Sequence, residues 1–152
     1  NITDYIKRLI GLPGDEIQFI DGELYINKNQ VLKTSVKSNQ VIFCGSSKIK
    51  TVFFDEKLSN GKVYKAVYNS EYSFQNSDKF IIPEKHFFLL GDNRDCSKDS
   101  RYLSEVGYVH QDNLVGKAQF LFFSSDYRVG SILKFWDWKN IVRFNRFFKK
   151  IN

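Results

Sequence analysis

The stretch Phe-Phe-Leu-Leu-Gly-Asp-Asn-Arg-Asp-Cys-Ser-Lys-Asp-Ser-Arg at residues 87–101 runs from four apolar residues straight into a charged turn. A short apolar run bounded by turn formers reads as a strand inside a core, which predicts a buried strand over His86 to Leu90. Gly91 to Arg101 then sets acids and bases among Gly, Asn, Asp and Ser, residues that accept positive φ or hydrogen-bond to their own backbone. A buried strand that ends in such a loop holds the charges where they can pair at the mouth of a site. The segment therefore predicts a β domain whose sheet presents this loop.

Working outward, Asn1 to Ile10 alternates β-branched and aromatic residues with a Lys-Arg pair and reads as a strand, closed by a Gly-Leu-Pro-Gly-Asp turn. Glu16 to Ile20 and Glu23 to Ile26 form a hairpin pattern across Asp21-Gly22, a dipeptide suited to the mirror-image turns that match strand twist. From Gln30 to Phe80 the strand candidates are shorter: Val41 to Cys44, Thr51 to Phe54 and Lys62 to Tyr68. Asn60-Gly61 supplies another hairpin signal in this antiparallel insertion. Beyond the charged loop, Asn113 to Phe123 reads as a further strand. Trp138, Ile141, Phe144, Phe148 and Ile151 then fall at three- and four-residue steps, which predicts an amphipathic C-terminal helix. The resulting division is a β core from 1–29 and 81–133, an inserted β subdomain over 30–80, and a basic aromatic segment over 134–152.

A chain of 152 residues with 42% hydrophobic and 16% aromatic content can bury a core, which excludes a disordered tail. The net charge of +6 is concentrated in Lys134 to Asn152, where six basic residues face one acid. The remainder is close to neutral, so no nucleic-acid partner is expected. The tail fits equally a helix packed on the sheet and a helix lying on an anionic membrane. No metal-ligand spacing is present, and no metal or cofactor is expected. Whether Cys44 and Cys96 bridge is open. The sequence contains no methionine, so the chain is expected to begin inside a longer product. It also lacks an apolar run of the ~20 residues that a membrane span needs.

A lysine serves as a general base only if burial or neighbouring cations lower its pKa towards neutrality. Lys7 has Tyr5 and Leu9 on its own face if the segment is a strand, with Ile6 on the other. Arg8, pointing away from Lys7, could be neutralised by an aspartate of the charged loop. Taken alone, a Lys-Arg pair in a strand is more often a solvated face.

The segments Tyr-Ile-Lys-Arg-Leu-Ile-Gly-Leu-Pro-Gly-Asp at 5–15 and Gly-Asp-Asn-Arg-Asp-Cys-Ser-Lys-Asp-Ser-Arg at 91–101 together resemble the type I signal peptidases. The resemblance implies a mainly β, antiparallel fold and a serine endopeptidase with a Ser/Lys dyad that removes signal peptides from exported preproteins. It implies that Lys7 is the general base and that Ser97 orients it. Arg8 with Asp92, and Asp99 with Arg101, match charged pairs that support the site. Asp4, Tyr5 and Ile6 match the strand edge that holds extended substrate. The implied setting is the bacterial inner membrane, with the catalytic domain on the periplasmic side. Cys96 stands where the family usually has asparagine, and Tyr102 to Tyr108 carries its glycine later than the common pattern.

The family's nucleophile lies in a Ser-x-Met-Pro type segment upstream of the lysine strand, and no stretch of this sequence matches it. Hydrolysis is therefore expected to need residues that precede Asn1. The alternative is a catalytically inactive relative that keeps the peptide groove as a binding module.

Overall fold

The computed structural model describes residues 4–125, 136 and 138–151, and the chain divides into two compact units, Asn1–Val115 and Gly116–Asn152. In the first unit β1 (Arg8–Gly11) pairs antiparallel with β11 (His86–Leu90), which in turn pairs with β12 (Val109–His110). Arg8 faces Leu90 and Leu9 faces Leu89, and the register slips between Leu9 and Gly11. Phe88 and Leu90 are fully buried, as the apolar run requires.

The strand expected from Asn1 begins only at Arg8. Asn1 to Thr3 lie outside the described residues, and Asp4 to Lys7 belong to no strand. The physical reason is in the register: the ladder ends at Arg8 opposite Leu90, and Gly91 carries the partner chain away into the loop.

A second sheet runs in the order β10 (Phe80–Ile81), β2 (Glu16–Ile20), β3 (Glu23–Ile26), β4 (Asn29–Gln30). Asp21 and Gly22 both take positive φ, +50° and +78°, so the two-residue turn twists with its strands and Ile20 pairs with Glu23. A third sheet joins β5 (Leu32–Val36), β8 (Thr51–Lys57) and β9 (Val63–Asn69), while β6 (Ile42–Cys44) and β7 (Ser47–Ile49) pair only with each other. Among the described residues these strands all pair antiparallel, and a single parallel bridge joins Val67 to Asn93 of the charged loop.

One core serves the first unit. Ile17, Phe19 and Leu24 from the hairpin, Phe88 and Leu90 from β11, and Tyr64, Ala66 and Tyr68 from β9 are buried in a single cluster. Segment 30–80 therefore shares its apolar face with the strands on either side of it. Among the described residues, no helix is long and apolar enough to cross a membrane.

The second unit departs from expectation at both ends. Of the strand predicted over Asn113 to Phe123, only β13 (Phe120–Leu121) forms, paired with β14 (Lys149–Lys150). In place of a long amphipathic helix there is one turn, α1 (Trp138–Ile141), then a 3-10 turn over Phe144–Arg146 and β14; Lys134, Phe135, Asp137 and Asn152 of the predicted 134–152 segment lie outside the described residues. The helix stops because backbone donors find partners across the unit instead of four residues back. Arg143 N–H donates to Ser124 O, Phe148 N–H to Leu121 O and Ile151 N–H to Gln119 O. Ring contacts between Phe122 and Phe148 and between Phe123 and Phe147 accompany this pairing.

Candidate active site

Lys7 and the charged loop meet because β1 and β11 are neighbours: Lys7 precedes the first residue of β1, and Gly91 follows the last residue of β11. The Lys7 ammonium Nζ donates to Ser97 Oγ at 2.5 Å. Burial lowers the Lys7 pKa and the Arg101 charge lowers it further, against an upward pull from Asp99. The expected apolar cover from Tyr5 and Leu9 is absent, since both are exposed. The amine is covered instead from the loop side, where Ser97 and Gly91 lie against it.

The loop is folded back on its own strand. Leu89 N–H donates to Ser100 Oγ at 2.9 Å, and Ser100 N–H donates to Leu89 O at 3.0 Å. Asp99, wholly buried, accepts from Gly91 N–H at 3.0 Å and from Arg101 Nε and Nη2 at 2.8 and 2.9 Å. Arg101 Nη2 also donates to Arg94 O. Arg8 grips Asp92 with both nitrogens of its fork, Nε to Oδ1 at 2.7 Å and Nη2 to Oδ2 at 2.9 Å, while its guanidinium lies 4.1 Å from the centre of the Tyr64 ring. Such bidentate pairs fix geometry as well as adding energy. Asp4, Tyr5 and Ile6 are exposed in front of β1 and take no part in the hydrogen bonds around Lys7.

Gly91 is demanded by space. A Cβ placed there would lie 2.1 Å from Ser97 Oγ, 2.3 Å from Ser97 Cβ and 3.6 Å from Lys7 Nζ. Ser97 Cβ is close to the backbone, so a side-chain rotation does not relieve the clash. Gly91→Ala is expected to keep the fold and to push Ser97 off the Lys7 amine, which moves the Lys7 titration up towards the ordinary lysine range. An NMR titration of Lys7 that does not move in the folded variant would remove Ser97 from the site.

Three further anchors hold the loop: Arg94 and Asp95, to which the motifs assign no role, and Cys96, whose bridging the sequence left open. Arg94, almost wholly buried, donates from Nη2 to Glu56 Oε2 at 2.6 Å and to Tyr64 Oη at 3.1 Å, and from Nη1 to Tyr68 Oη at 2.8 Å. Both tyrosine hydroxyls donate to Glu56. Burial raises both phenol pKa values, so the hydroxyls stay protonated as donors. Burial opposes the Arg94 charge, and Glu56 with the two phenols more than offsets it. Asp95 accepts from Asn69 N–H, Ser73 Oγ and Phe74 N–H. Cys96 is disulfide-bonded to Cys44. A usable signal was present in β9: Tyr64, Ala66 and Tyr68 alternate onto one face, and two phenols on a buried face require polar partners.

Residues 1–123 match the family described as signal peptidase, peptidase S26. Signal peptidase I of Rickettsia conorii (strain ATCC VR-613 / Malish 7) is 42% identical over 164 residues, covering 97% of this chain and 59% of that protein. Signal peptidase I of Rickettsia bellii (strain OSU 85-389) is 40% identical over 166 residues, covering 98% and 55%. A crystal structure of a signal peptidase I from Enterococcus faecalis V583 is similar at 28% identity and a TM-score of 0.40, over 74% of this chain and 80% of that one. The chain belongs to the signal peptidase family, peptidase S26. It spans less than two thirds of the length of these Rickettsia relatives.

Proposed function

We propose that the chain forms the general-base half of a signal peptidase I, a serine endopeptidase that removes N-terminal signal peptides from exported preproteins. The observation that carries this reading is the 2.5 Å contact between Ser97 Oγ and a half-buried lysine amine whose pKa is lowered. A neutral Lys7 amine takes the proton from a serine hydroxyl supplied by a segment before Asn1, and that oxygen attacks the scissile carbonyl. The protonated amine then gives its proton to the departing amine, and Lys7 next activates the water that hydrolyses the acyl-enzyme. Ser97 Oγ accepts an N–H from the amine whether it is charged or neutral, so it keeps Nζ in place and leaves the lone pair of the neutral amine for the nucleophile's proton. Arg8 with Asp92, and Asp99 with Arg101, hold the loop that carries Ser97.

Asp4, Tyr5 and Ile6 are proposed to bind the extended substrate, because an exposed segment outside any strand leaves its backbone groups for pairing with a peptide. These residues would serve an inactive peptide-binding relative equally well, and the Lys7–Ser97 contact favours the enzyme. The Cys44–Cys96 bond suits an oxidising compartment, in keeping with a domain outside the cytoplasm.

The test is precursor cleavage after a small-x-small motif by the protein with the segment preceding Asn1 restored. Because only the neutral amine accepts a proton, kcat/KM is expected to rise with pH through the Lys7 pKa, with its inflection below the ordinary lysine range. A rate that ignores pH across that range would remove Lys7 as the base.

The second unit is proposed to touch an anionic membrane. Phe120, Phe122, Phe144 and Phe148 are exposed in the same unit as Lys149 and Lys150. Deleting residues 134–152 is expected to weaken binding to phosphatidylserine-containing vesicles; undiminished sedimentation with vesicles would leave the unit a packing element only.

A further inference from the structure

Ser97 is placed mainly by its neighbours. Among the described residues its hydrogen bonds are the one from Lys7 and a long one to Lys98 O at 3.5 Å, and no backbone hydrogen bond anchors it. It sits just after the 3-10 turn Arg94–Cys96, which has no side-chain cap and one internal backbone bond, Cys96 N–H to Asn93 O at 3.3 Å. On its C-terminal side the next fixed point is Asp99. On its N-terminal side the nearest restraint is covalent and one residue away, the bond from Cys96 to Cys44.

The far end of that bond is equally informative. Cys44 ends β6, whose hairpin with β7 pairs with no other strand, and Cys44 is 52 residues from Cys96 in sequence. Other segments between residues 30 and 80 hold the loop without help from this hairpin. Val67 N–H donates to Asp92 O, Glu56 holds Arg94, and Asn69, Ser73 and Phe74 hold Asp95. These grips end at Asp95. Beyond Asp95 the turn's own Cys96 N–H to Asn93 O bond is local, and the disulfide carries a restraint from distant sequence on to residue 96, next to the serine that holds the amine.

We propose that the Cys44–Cys96 disulfide is a positioning device for Ser97 and, through Ser97, for Lys7. The bond adds a long-range restraint at residue 96, where the hydrogen bonds to β8, β9 and the segment after it have ended, and it draws that restraint from a hairpin that pairs with no other strand. The proposal rests on the peptidase reading only in taking Lys7 as the base. Reduction by a dithiol such as dithiothreitol breaks the S–S bond. Each protein sulfur gains an electron and a proton, and the reagent is oxidised to its cyclic disulfide. The Arg94 and Asp95 anchors survive reduction, so the change is confined to residues 96–98. Ser97 then holds the amine less closely, water reaches Nζ, and the charged form is favoured again.

The test is a pH titration of the Lys7 amine by NMR of isotopically labelled lysine. It compares the oxidised chain, the dithiothreitol-reduced chain, Cys44→Ser and Cys96→Ser. In the oxidised chain Lys7 is expected to titrate below the other lysines. In the reduced chain and in both variants it is expected to move up towards them, and reoxidation of the reduced chain is expected to restore it. Cys44→Ser is the informative variant because it leaves the residue beside Ser97 unchanged.

An unmoved Lys7 titration, with both thiols shown free by mass spectrometry, overturns the proposal. So does a shift in Cys96→Ser alone, which would assign the effect to the side chain at 96. Loss of the cooperative unfolding transition on reduction also overturns it, because the bond would then support the whole fold and not this serine. With the preceding segment restored, reduction is expected to lower kcat/KM by on the order of tenfold to a hundredfold and to move its pH inflection upward. If the oxidised protein cleaves no precursor, the peptidase reading fails, while the titration still decides the role of the bond.

Discussion

Lys7→Ala is expected to lower precursor cleavage by roughly 10² to 10⁴-fold, the usual contribution of a positioned general base. The substitution removes the amine that donates to Ser97 Oγ and leaves a small space beside Gly91. Asp99 keeps its hydrogen bonds from Gly91 N–H and Arg101, so the loop retains its frame and the variant is expected to fold. Lys7→Arg should lose nearly as much, because a guanidinium stays protonated at any working pH and cannot accept the serine proton. The measurement is kcat/KM for a small-x-small precursor, using protein that carries the segment before Asn1. Wild-type turnover in Lys7→Ala would transfer the base role elsewhere and end the dyad reading.

Glu56→Ala is expected to cost about 3 to 5 kcal/mol of folding stability, because it leaves the Arg94 charge buried without its carboxylate. The loss extends beyond the ion pair, since the Tyr64 and Tyr68 hydroxyls donate to the same carboxylate and lose their acceptor with it. Domains of this size are typically stable by only ~5 to 15 kcal/mol, so one substitution removes a large share. Replacing both charged partners, Glu56→Leu with Arg94→Met, is expected to cost less than Glu56→Ala, because the two phenols still lose their partners but no charge is then stranded. Urea unfolding of the single and double variants separates the two outcomes. Equal loss in both would show that the ion pair itself, and not the stranded charge, stabilises the fold.

Local chemistry made part of this protein legible in advance. The Asp21-Gly22 hairpin and the β11 strand formed at their expected bounds, because turn type and apolar runs depend on neighbours in sequence. Arg8 pairs with Asp92, and Asp99 with Arg101, between residues that the two motif segments supply. The C-terminal helix did not form as a periodic pattern implied. Periodicity describes which side chains could share a face, and backbone groups from 119 to 125 offered the segment a competing set of hydrogen bonds.

Neighbouring residues settle the strand-then-loop order, the turns that need positive φ, and the gathering of charge between Asp92 and Arg101. Packing of distant strands sets Glu56 against Arg94, bridges Cys44 to Cys96, and covers Lys7 from the loop and not from Tyr5 and Leu9. The physical reason is separation along the chain. A turn is settled by forces among adjacent residues, whereas a buried carboxylate, a disulfide and a desolvated amine exist only once distant strands have packed and excluded water between them.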